Sequence, residues 1–109
     1  DTWMKKNSYT KAAQEYQKAV GLDPRASTYV ALARAYRLAE NNAIALSLIG
    51  RAIKIEDGYA DIYKELGAIH EARGENAEAV VAYQKYIEIA PNAPDRKVIE
   101  GQLKSLGGQ

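Results

Sequence analysis

Three alanines, Ala12, Ala45 and Ala79, recur along the chain at separations of 33 and 34 residues. Each is followed by a bulky residue four positions later and by a helix-stopping residue twelve positions later. The bulky residues are Tyr16, Ile49 and Tyr83, and the stopping residues are Pro24, Asp57 and Pro91. A period near ~34 residues is typical of stacked helical pairs, which bury their apolar faces only against one another. This ladder of alanines predicts a helical repeat whose function lies on the surface that the units build together.

The composition is that of a single globular domain. Of 109 residues, 47% are hydrophobic and 27% charged, and the interspersed charges sum to only +1, which argues against a nucleic-acid partner. No apolar run approaches the ~20 residues of a bilayer span, and residues 1–3 do not begin a signal segment. We therefore expect a soluble protein, in the cytoplasm or a bacterial periplasm, without direct membrane insertion. The missing initiator Met predicts a fragment of a longer chain.

Helical periodicity runs almost from end to end, with breaks at Asn7-Ser8 and at five later positions. It predicts about seven helices, over residues 1–6, 9–22, 26–39, 43–56, 59–73, 76–90 and 95–106. Gly74 can take the left-handed conformation that ends a helix. In the preceding unit Glu40 or Asn41 must do so, and Asn tolerates that conformation better.

Each repeat unit is predicted to be a pair of helices, and small and large residues alternate on one stripe of the second helix of each pair. The first unit has Tyr9-x2-Ala12-x3-Tyr16-x2-Ala19, and the same spacing recurs from Asn42 and from Asn76. The first helices also match, with Tyr29-x2-Leu32-Ala33-x2-Tyr36 repeated as Tyr63-x2-Leu66-Gly67-x2-His70. Steps of three and four residues place these side chains on one helix face, where a small residue allows a close crossing. The pattern therefore indicates packing.

With these motifs the chain resembles the tetratricopeptide repeat family. The family pattern has an aromatic, Leu-Gly and Tyr in the first helix, then Ala, an aromatic and Pro in the second, and residues 60–91 meet it nearly in full. Residues 26–57 match with Ala33, Ile49 and Asp57 as substitutions, and Trp3 lies near the aromatic position of an incomplete first unit. The resemblance implies an all-α fold, a right-handed superhelical stack of antiparallel helix pairs.

We expect one tetratricopeptide domain over residues 1–109. Its predicted parts are a partial first repeat (1–25), a second repeat (26–59), a third repeat (60–93) and a C-terminal capping helix (94–109). In the last helix the apolar stripe of Val98, Ile99, Leu103 and Leu106 lies opposite charged residues. That arrangement favours a solvated cap over a docking helix for a partner. The chain is then expected to be the capped C-terminal end of a longer array.

The residues capable of chemistry do not form a recognised catalytic pattern. His70, the single histidine, occupies the packing position that Tyr36 fills one unit earlier, and the chain contains no cysteine. Most tyrosines fall on the packing motif, which favours a core role over stacking on nucleic acid. We predict a protein that is not an enzyme and that uses no cofactor or metal.

In tetratricopeptide proteins the first helices line a concave groove, and the resemblance implies that their non-packing residues point into it. Residues 34 apart, such as Arg34 and Ala68, should then be neighbours. The predicted groove residues are Met4, Lys5, Ser27, Val30, Arg34, Arg37, Leu38, Asp61, Lys64, Ala68, Glu71 and Ala72.

We predict a scaffold that binds an extended or helical segment of a partner protein in this groove. Arg34, Arg37 and Lys64 would offer charge to carboxylates, while Val30, Leu38 and Ala68 would offer apolar contact. The family's chaperone-tail clamp uses Lys and Asn on the first helices, and because no Asn matches here that function is not carried over. The alternatives are an architectural protein that assembles into homo-oligomers and a regulatory module of a larger multidomain protein.

Overall fold

The structure is a computed structural model that describes residues 2–107, with side chains from Met4 onward. It contains six helices: α1 (Thr2–Leu22), α2 (Ala26–Leu38), α3 (Asn42–Ile55), α4 (Ala60–Ala72), α5 (Asn76–Ile89) and α6 (Arg96–Ser105). The described range has no strand, which confirms the all-α class. In the same range no helix is both long and apolar enough to cross a membrane.

Helix α1 is continuous where the sequence predicted a break at Asn7-Ser8. Both residues are exposed, and Asn and Ser weaken a helix without barring it as Pro does. The hydroxyl of Thr10 donates to the carbonyl of Lys6 at 3.0 Å, so local bonding continues across the expected break. Residues 2–107 thus form six helices instead of about seven. The side chain of Trp3, expected at an aromatic position of the motif, lies outside the described ones.

Helices α2 and α4 end in the same way. Glu40 (φ 66°) and Gly74 (φ 75°) take the left-handed conformation, and the next N–H bonds back to the carbonyl five residues earlier at 2.8 Å in both turns. Glu40 takes this conformation although Asn would tolerate it better. Asn41 is used instead as the N-cap of α3, where its side chain accepts a hydrogen bond from the N–H of Ile44 at 3.5 Å.

The core runs through the helices as two clusters. The first unites α1 to α4 around Leu32, Ile49, Ile62 and Ile69, which are almost completely buried. The second lies between α5 and α6 and is centred on Tyr83, with α4 bordering both clusters. Helices α2 and α3 form one pair and α4 and α5 the next, and α2 packs against α4. This stacking places α2 and α4 side by side and α6 against the end of the second pair.

The close crossing expected at Gly67 is present. A Cβ atom at this position would lie 2.5 Å from Cε1 of Tyr83, a distance that real contacts do not reach. Tyr83 is 1% exposed, so its ring fills the space that the glycine leaves. Tyr16, expected in the core at the equivalent position of the first unit, is 42% exposed, which corrects that expectation.

Candidate partner-binding groove

A cavity of about 500 Å³ opens between α2, α4 and α6. It is lined by Arg34, Arg37, Lys64, Glu65, Ala68, Tyr83, Asp95, Val98, Ile99 and Gln102. Three- and four-residue spacing places the first two on one face of α2 and the pair Lys64 and Ala68 on one face of α4. Four of the predicted groove residues therefore share one cavity, and Arg34 and Ala68, 34 residues apart, both line it.

Glu65 forms the floor of this cavity and is the residue that sequence reasoning missed most clearly. Its side chain is 3% exposed and accepts hydrogen bonds from Nε of Arg34 at 3.2 Å and from Nε of Arg37. Arg37 adds a weaker bond through Nη2 at 3.5 Å. A buried carboxylate without such partners would be strongly destabilising, so the two guanidinium groups stabilise Glu65 in the folded chain. Arg37 therefore stabilises the fold through Glu65 and also lines the cavity.

The two arginines differ in how much they can offer a ligand. Arg34 is 50% exposed at its side chain, whereas that of Arg37 is largely covered. Arg34 uses Nε for Glu65, and no described residue accepts a hydrogen bond from its Nη groups. Because both Nη groups carry donors, Arg34 can bind a second carboxylate without leaving the first.

Lys64 forms the opposite wall and is tied to the start of α6. Its Nζ lies 2.7 Å from Oδ2 of Asp95 and 5.9 Å from the centroid of the Tyr86 ring. The hydroxyl of Tyr86 donates to Oδ1 of Asp95 at 2.6 Å. The hydrogen bonds from Lys64 and Tyr86 hold the pKa of Asp95 below its usual range. Burial and the bond to Asp95 raise the pKa of Tyr86 to about 12.

Tyr83 connects the cavity to Glu71, another predicted groove residue. Its hydroxyl donates to Oε1 of Glu71 at 2.9 Å. Burial first, and then this bond to a carboxylate, raise the pKa of Tyr83 well above its usual value. The carboxylate of Glu71 is thus already engaged by a residue of the cavity wall, although Glu71 itself is exposed.

Several predicted groove residues lie elsewhere. Val30 is 3% exposed and belongs to the core. The apolar contact that was predicted between Val30 and a partner is therefore wrong. Ser27 lines a separate cavity at the turns that flank α2 and α4, and Leu38 lines a third beside α1. Asp61 accepts a hydrogen bond from the Tyr59 hydroxyl at 3.2 Å. Met4, Lys5 and Ala72 are exposed and line none of these three cavities.

Charge complementarity between repeats was the signal that could have identified Glu65. It lies 34 residues after Ala31, so a carboxylate replaces a small residue on the face next to Arg34 and Arg37. Asp95 and Gln102 could not be placed without the orientation of α6. Ile99 is buried as the stripe of the last helix predicted, whereas Val98 of the same stripe is exposed at the cavity.

His70 lies apart from the cavity, in the last turn of α4. Its Nδ1–H donates to Oε1 of Glu75 at 2.8 Å, and Nε of Arg73 donates to the same oxygen at 3.0 Å. These two bonds, that from His70 being the larger cause, lower the pKa of Glu75. His70 is mostly covered, and its hydrogen bond helps to hold the turn between α4 and α5.

The repeated hairpins and their groove can now be compared with known proteins. The profile of the family described as "Tetratricopeptide repeat" matches residues 30–94, more than half of the chain. The chain belongs to the tetratricopeptide repeat family. Tetratricopeptide domains are protein–protein interaction modules, and their fold is generally non-enzymatic. A comparison with proteins of curated function gives no match.

Solved tetratricopeptide structures share the whole fold. The first such domain of Spaghetti (RPAP3), bound to the HSP90 peptide SRMEEVD, has a TM-score of 0.79 at 24% identity over 97% of this chain and 88% of that one. The first domain of human RPAP3 has a TM-score of 0.76 at 25% identity, over 96% of this chain and 87% of that one. The Arabidopsis OM64 domain has a TM-score of 0.77 at 22% identity, over 95% of this chain and 92% of that one. The tetratricopeptide stack predicted from the sequence is thereby confirmed.

Proposed function

We propose that this tetratricopeptide domain binds an extended, acidic segment of a partner protein in the cavity between α2, α4 and α6. The observation that carries the proposal is the position of Arg34. Its guanidinium is anchored through Nε on a buried carboxylate and half-exposed on the cavity wall. An anchored guanidinium loses less conformational entropy on binding than a mobile one, and its planar donors match a carboxylate.

The charges of the cavity favour an anionic ligand. Three cations line it, Arg34, Arg37 and Lys64, against two carboxylates, Glu65 and Asp95. Glu65 is covered by the arginines, whereas Lys64 is 43% exposed and can turn its ammonium group toward a ligand. A partner carboxylate would therefore meet more exposed positive than negative charge, which gives specificity as well as attraction.

Apolar atoms lie between the charged groups. Ala68 on α4 and Val98 on α6 line the cavity, and Val98 is one of the exposed large apolar residues of the chain. A volume of about 500 Å³ is suited to a few side chains of an extended segment. We infer a ligand that alternates acidic and small apolar residues.

A related structure supports this chemistry. The peptide bound to the first Spaghetti domain, SRMEEVD, has three acidic side chains and one basic one. It is therefore a suitable probe for this chain, whatever the natural partner. The cavity here contains no Asn, so the proposal concerns acidic segments in general and not the chaperone tail.

The test is fluorescence anisotropy with labelled SRMEEVD and with SRMQQVN, in which amides replace the three acidic side chains while the arginine is kept. We expect the acidic peptide to bind more tightly, with an affinity that falls as salt is raised. Arg34→Ala and Lys64→Ala should each weaken binding by about tenfold, since a charge-assisted hydrogen bond is lost.

Arg51→Ala is the matched control. Arg51 is exposed on α3 and does not line the cavity, so this substitution removes the same charge at a distance from the proposed site. Circular dichroism should show equal helicity in all variants, because Arg37 still pairs with Glu65 when Arg34 is replaced. Equal affinity for the two peptides, or losses in Arg51→Ala as large as those in Arg34→Ala, would contradict the acidic groove.

A further inference from the structure

The turn between α3 and α4 contains the dipeptide Asp57-Gly58. Asp57 stands at the stopping position of the alanine ladder, where the other units have Pro24 and Pro91. A flexible dipeptide therefore replaces a rigid residue at this junction between helix pairs. In the whole sequence no other aspartate or asparagine is followed by glycine. The turn is exposed although complete helix pairs lie on both sides of it, α2 with α3 and α4 with α5.

The carboxylate of Asp57 has no partner among the residues that the structure describes. Asp57 is exposed, and no described group donates a hydrogen bond to its carboxylate or forms an ion pair with it. The other aspartates with described side chains each have a partner, and they are Asp23 with Arg25, Asp61 with Tyr59, and Asp95 with Lys64 and Tyr86. Nothing therefore holds the carboxyl group of Asp57 away from the main chain that follows it.

The main-chain nitrogen of Gly58 is equally accessible. On either side of it, the N–H of Glu56 donates to the carbonyl of Ala52 at 2.9 Å, and the N–H of Tyr59 donates to the carbonyl of Glu56 at 3.3 Å. Within residues 2–107 no group accepts a hydrogen bond from the N–H of Gly58. A Cβ atom built on Gly58 would meet nothing within 4 Å. The nitrogen can therefore approach the preceding carboxyl group without breaking a contact.

We propose that Asp57-Gly58 is a site of spontaneous isoaspartate formation in the folded chain. The nitrogen of Gly58 attacks Cγ of Asp57, so that a C–N bond forms and a Cγ–O bond breaks. The carboxyl OH group leaves with the amide proton as water, and a five-membered succinimide remains. One water molecule then adds to the ring. Opening at Cγ restores aspartate, whereas opening at the main-chain carbonyl carbon gives isoaspartate, with no net gain or loss of atoms and no oxidation or reduction.

The conversion alters the junction between the two helix pairs. The main-chain carbonyl of Asp57 accepts a hydrogen bond from the hydroxyl of Tyr63 at 2.9 Å. Tyr63 packs against both core clusters, and Nζ of Lys85 lies 5.7 Å from the centroid of its ring. In isoaspartate this carbonyl becomes part of a free carboxylate, and the main chain is one carbon longer. We therefore expect the converted chain to be less stable. Neither residue of the dipeptide lines the cavity between α2, α4 and α6, so the proposal is independent of peptide binding.

Prolonged incubation of the folded chain, followed by digestion with trypsin and mass spectrometry, tests the reaction. Cleavage after Lys54 and Lys64 releases residues 55–64, which contain both Asp57 and Asp61. We expect this peptide to separate into two species of equal mass, and electron-transfer fragmentation should locate isoaspartate at position 57. Asp61 is the internal control and should stay unconverted, because it lies inside α4 and is followed by the β-branched Ile62.

Gly58→Ala is the matched variant. Its Cβ would meet nothing within 4 Å, and Gly58 does not have a positive φ that alanine would strain, so the fold should be unchanged. The added methyl group hinders attack by the nitrogen, and conversion should slow by about fivefold or more. A synthetic peptide of residues 55–64 gives the rate without a fold. The folded chain should convert within about threefold of that rate, because no contact has to open first.

Thermal unfolding of the separated converted and parent chains tests the consequence for the junction. The converted chain should have the lower melting temperature. In Tyr63→Phe the same conversion should cause a smaller shift, because the hydrogen bond to the carbonyl of Asp57 is already missing. Equal melting temperatures of converted and parent chains would contradict the expected loss.

Two results would overturn the proposed site. If the synthetic peptide converts and the folded chain does not, the fold protects the turn. If Asp61 converts as fast as Asp57, or Gly58→Ala leaves the rate unchanged, the accessible nitrogen of Gly58 is not the cause of the reaction. Circular dichroism of Gly58→Ala, measured alongside, shows whether the variant is folded like the parent.

Discussion

Tyr16 on α1 and Tyr83 on α5 hold the same place in the repeated pattern, four residues after an alanine of the ladder, yet their exposed fractions are 42% and 1%. The difference comes from the neighbouring helix and not from the residue. Over Tyr83 lies α4, whose Gly67 has no side chain in the way of the ring. Over Tyr16 the described chain places no helix. A repeat motif therefore predicts which side chain can be buried, and the neighbouring unit decides whether it is.

The largest expected effect separates these two tyrosines directly. Tyr83→Ala should lower the free energy of unfolding by about 3–5 kcal/mol, because it opens a cavity beneath α4 and leaves Glu71 without its donor. Tyr16→Ala should cost below about 1 kcal/mol, as for a partly exposed residue. Urea denaturation followed by circular dichroism at low micromolar concentration measures both.

Comparable losses for the two variants would contradict the comparison, and would mean that Tyr16 is covered in solution.

The second prediction concerns the small residue opposite each large one. Ala in place of Gly67 would gain about 1 kcal/mol of helix stability, but its Cβ would lie 2.5 Å from the buried Tyr83 ring. We expect the overlap to prevail and Gly67→Ala to destabilise the chain by about 1–3 kcal/mol. The second unit solves the same problem with Ala33 and Ile49, both buried.

A double variant tests whether the two pairs follow one rule. Gly67→Ala with Tyr83→Ile copies the Ala33 and Ile49 pair into the third unit, and the two substitutions should cost at least about 1 kcal/mol less together than their sum. Thermal or urea unfolding of the four chains of this cycle gives the coupling. Strict additivity would show that Tyr83 relieves the overlap by moving, and that the crossing is looser than the structure indicates.

The helix pairs could be predicted from the sequence, because the repeat of Ala12, Ala45 and Ala79 with their bulky partners depends only on local spacing. Sequence reasoning failed where a local preference was weak or a contact was distant. Asn7 and Ser8 only weaken a helix, so they could not show whether α1 breaks. Val30 was assigned to the groove by subtraction, although an apolar residue between two helices is more stable in the core.

The candidate site was predicted only in its cations. Arg34, Arg37, Lys64 and Ala68 remained on the first helices once the packing residues were set aside, and the family resemblance placed them in one groove. The carboxylates that pair with the three cations were not predicted. Glu65 and Asp95 come from different units, and their pairing depends on the packing of α2 and α6 around α4. Such contacts between units carry no fixed spacing, which is why the electrostatics of the cavity required the structure.

The smallest effect is expected at Tyr86, which lies at the end of the stack that α6 covers. Tyr86 stands where Ala19 and Ala52 stand in the other units, and it reaches Asp95 with its hydroxyl. Tyr86→Phe should lower the free energy of unfolding by about 1 kcal/mol at pH 7, the net value of one hydrogen bond.

The contribution of Tyr86 should depend on pH. Because burial and Asp95 raise the pKa of Tyr86 from 10.0 to about 12, this contribution is complete below pH 10 and is lost as the pH rises to about 12. The difference between the parent and Tyr86→Phe in urea unfolding should therefore shrink across that interval, while other groups that titrate there affect both chains alike. A difference that stays constant from pH 9 to about pH 12 would mean that Tyr86 ionises equally in the folded and unfolded chains, and that the contact between α6 and the last pair contributes less than its geometry implies.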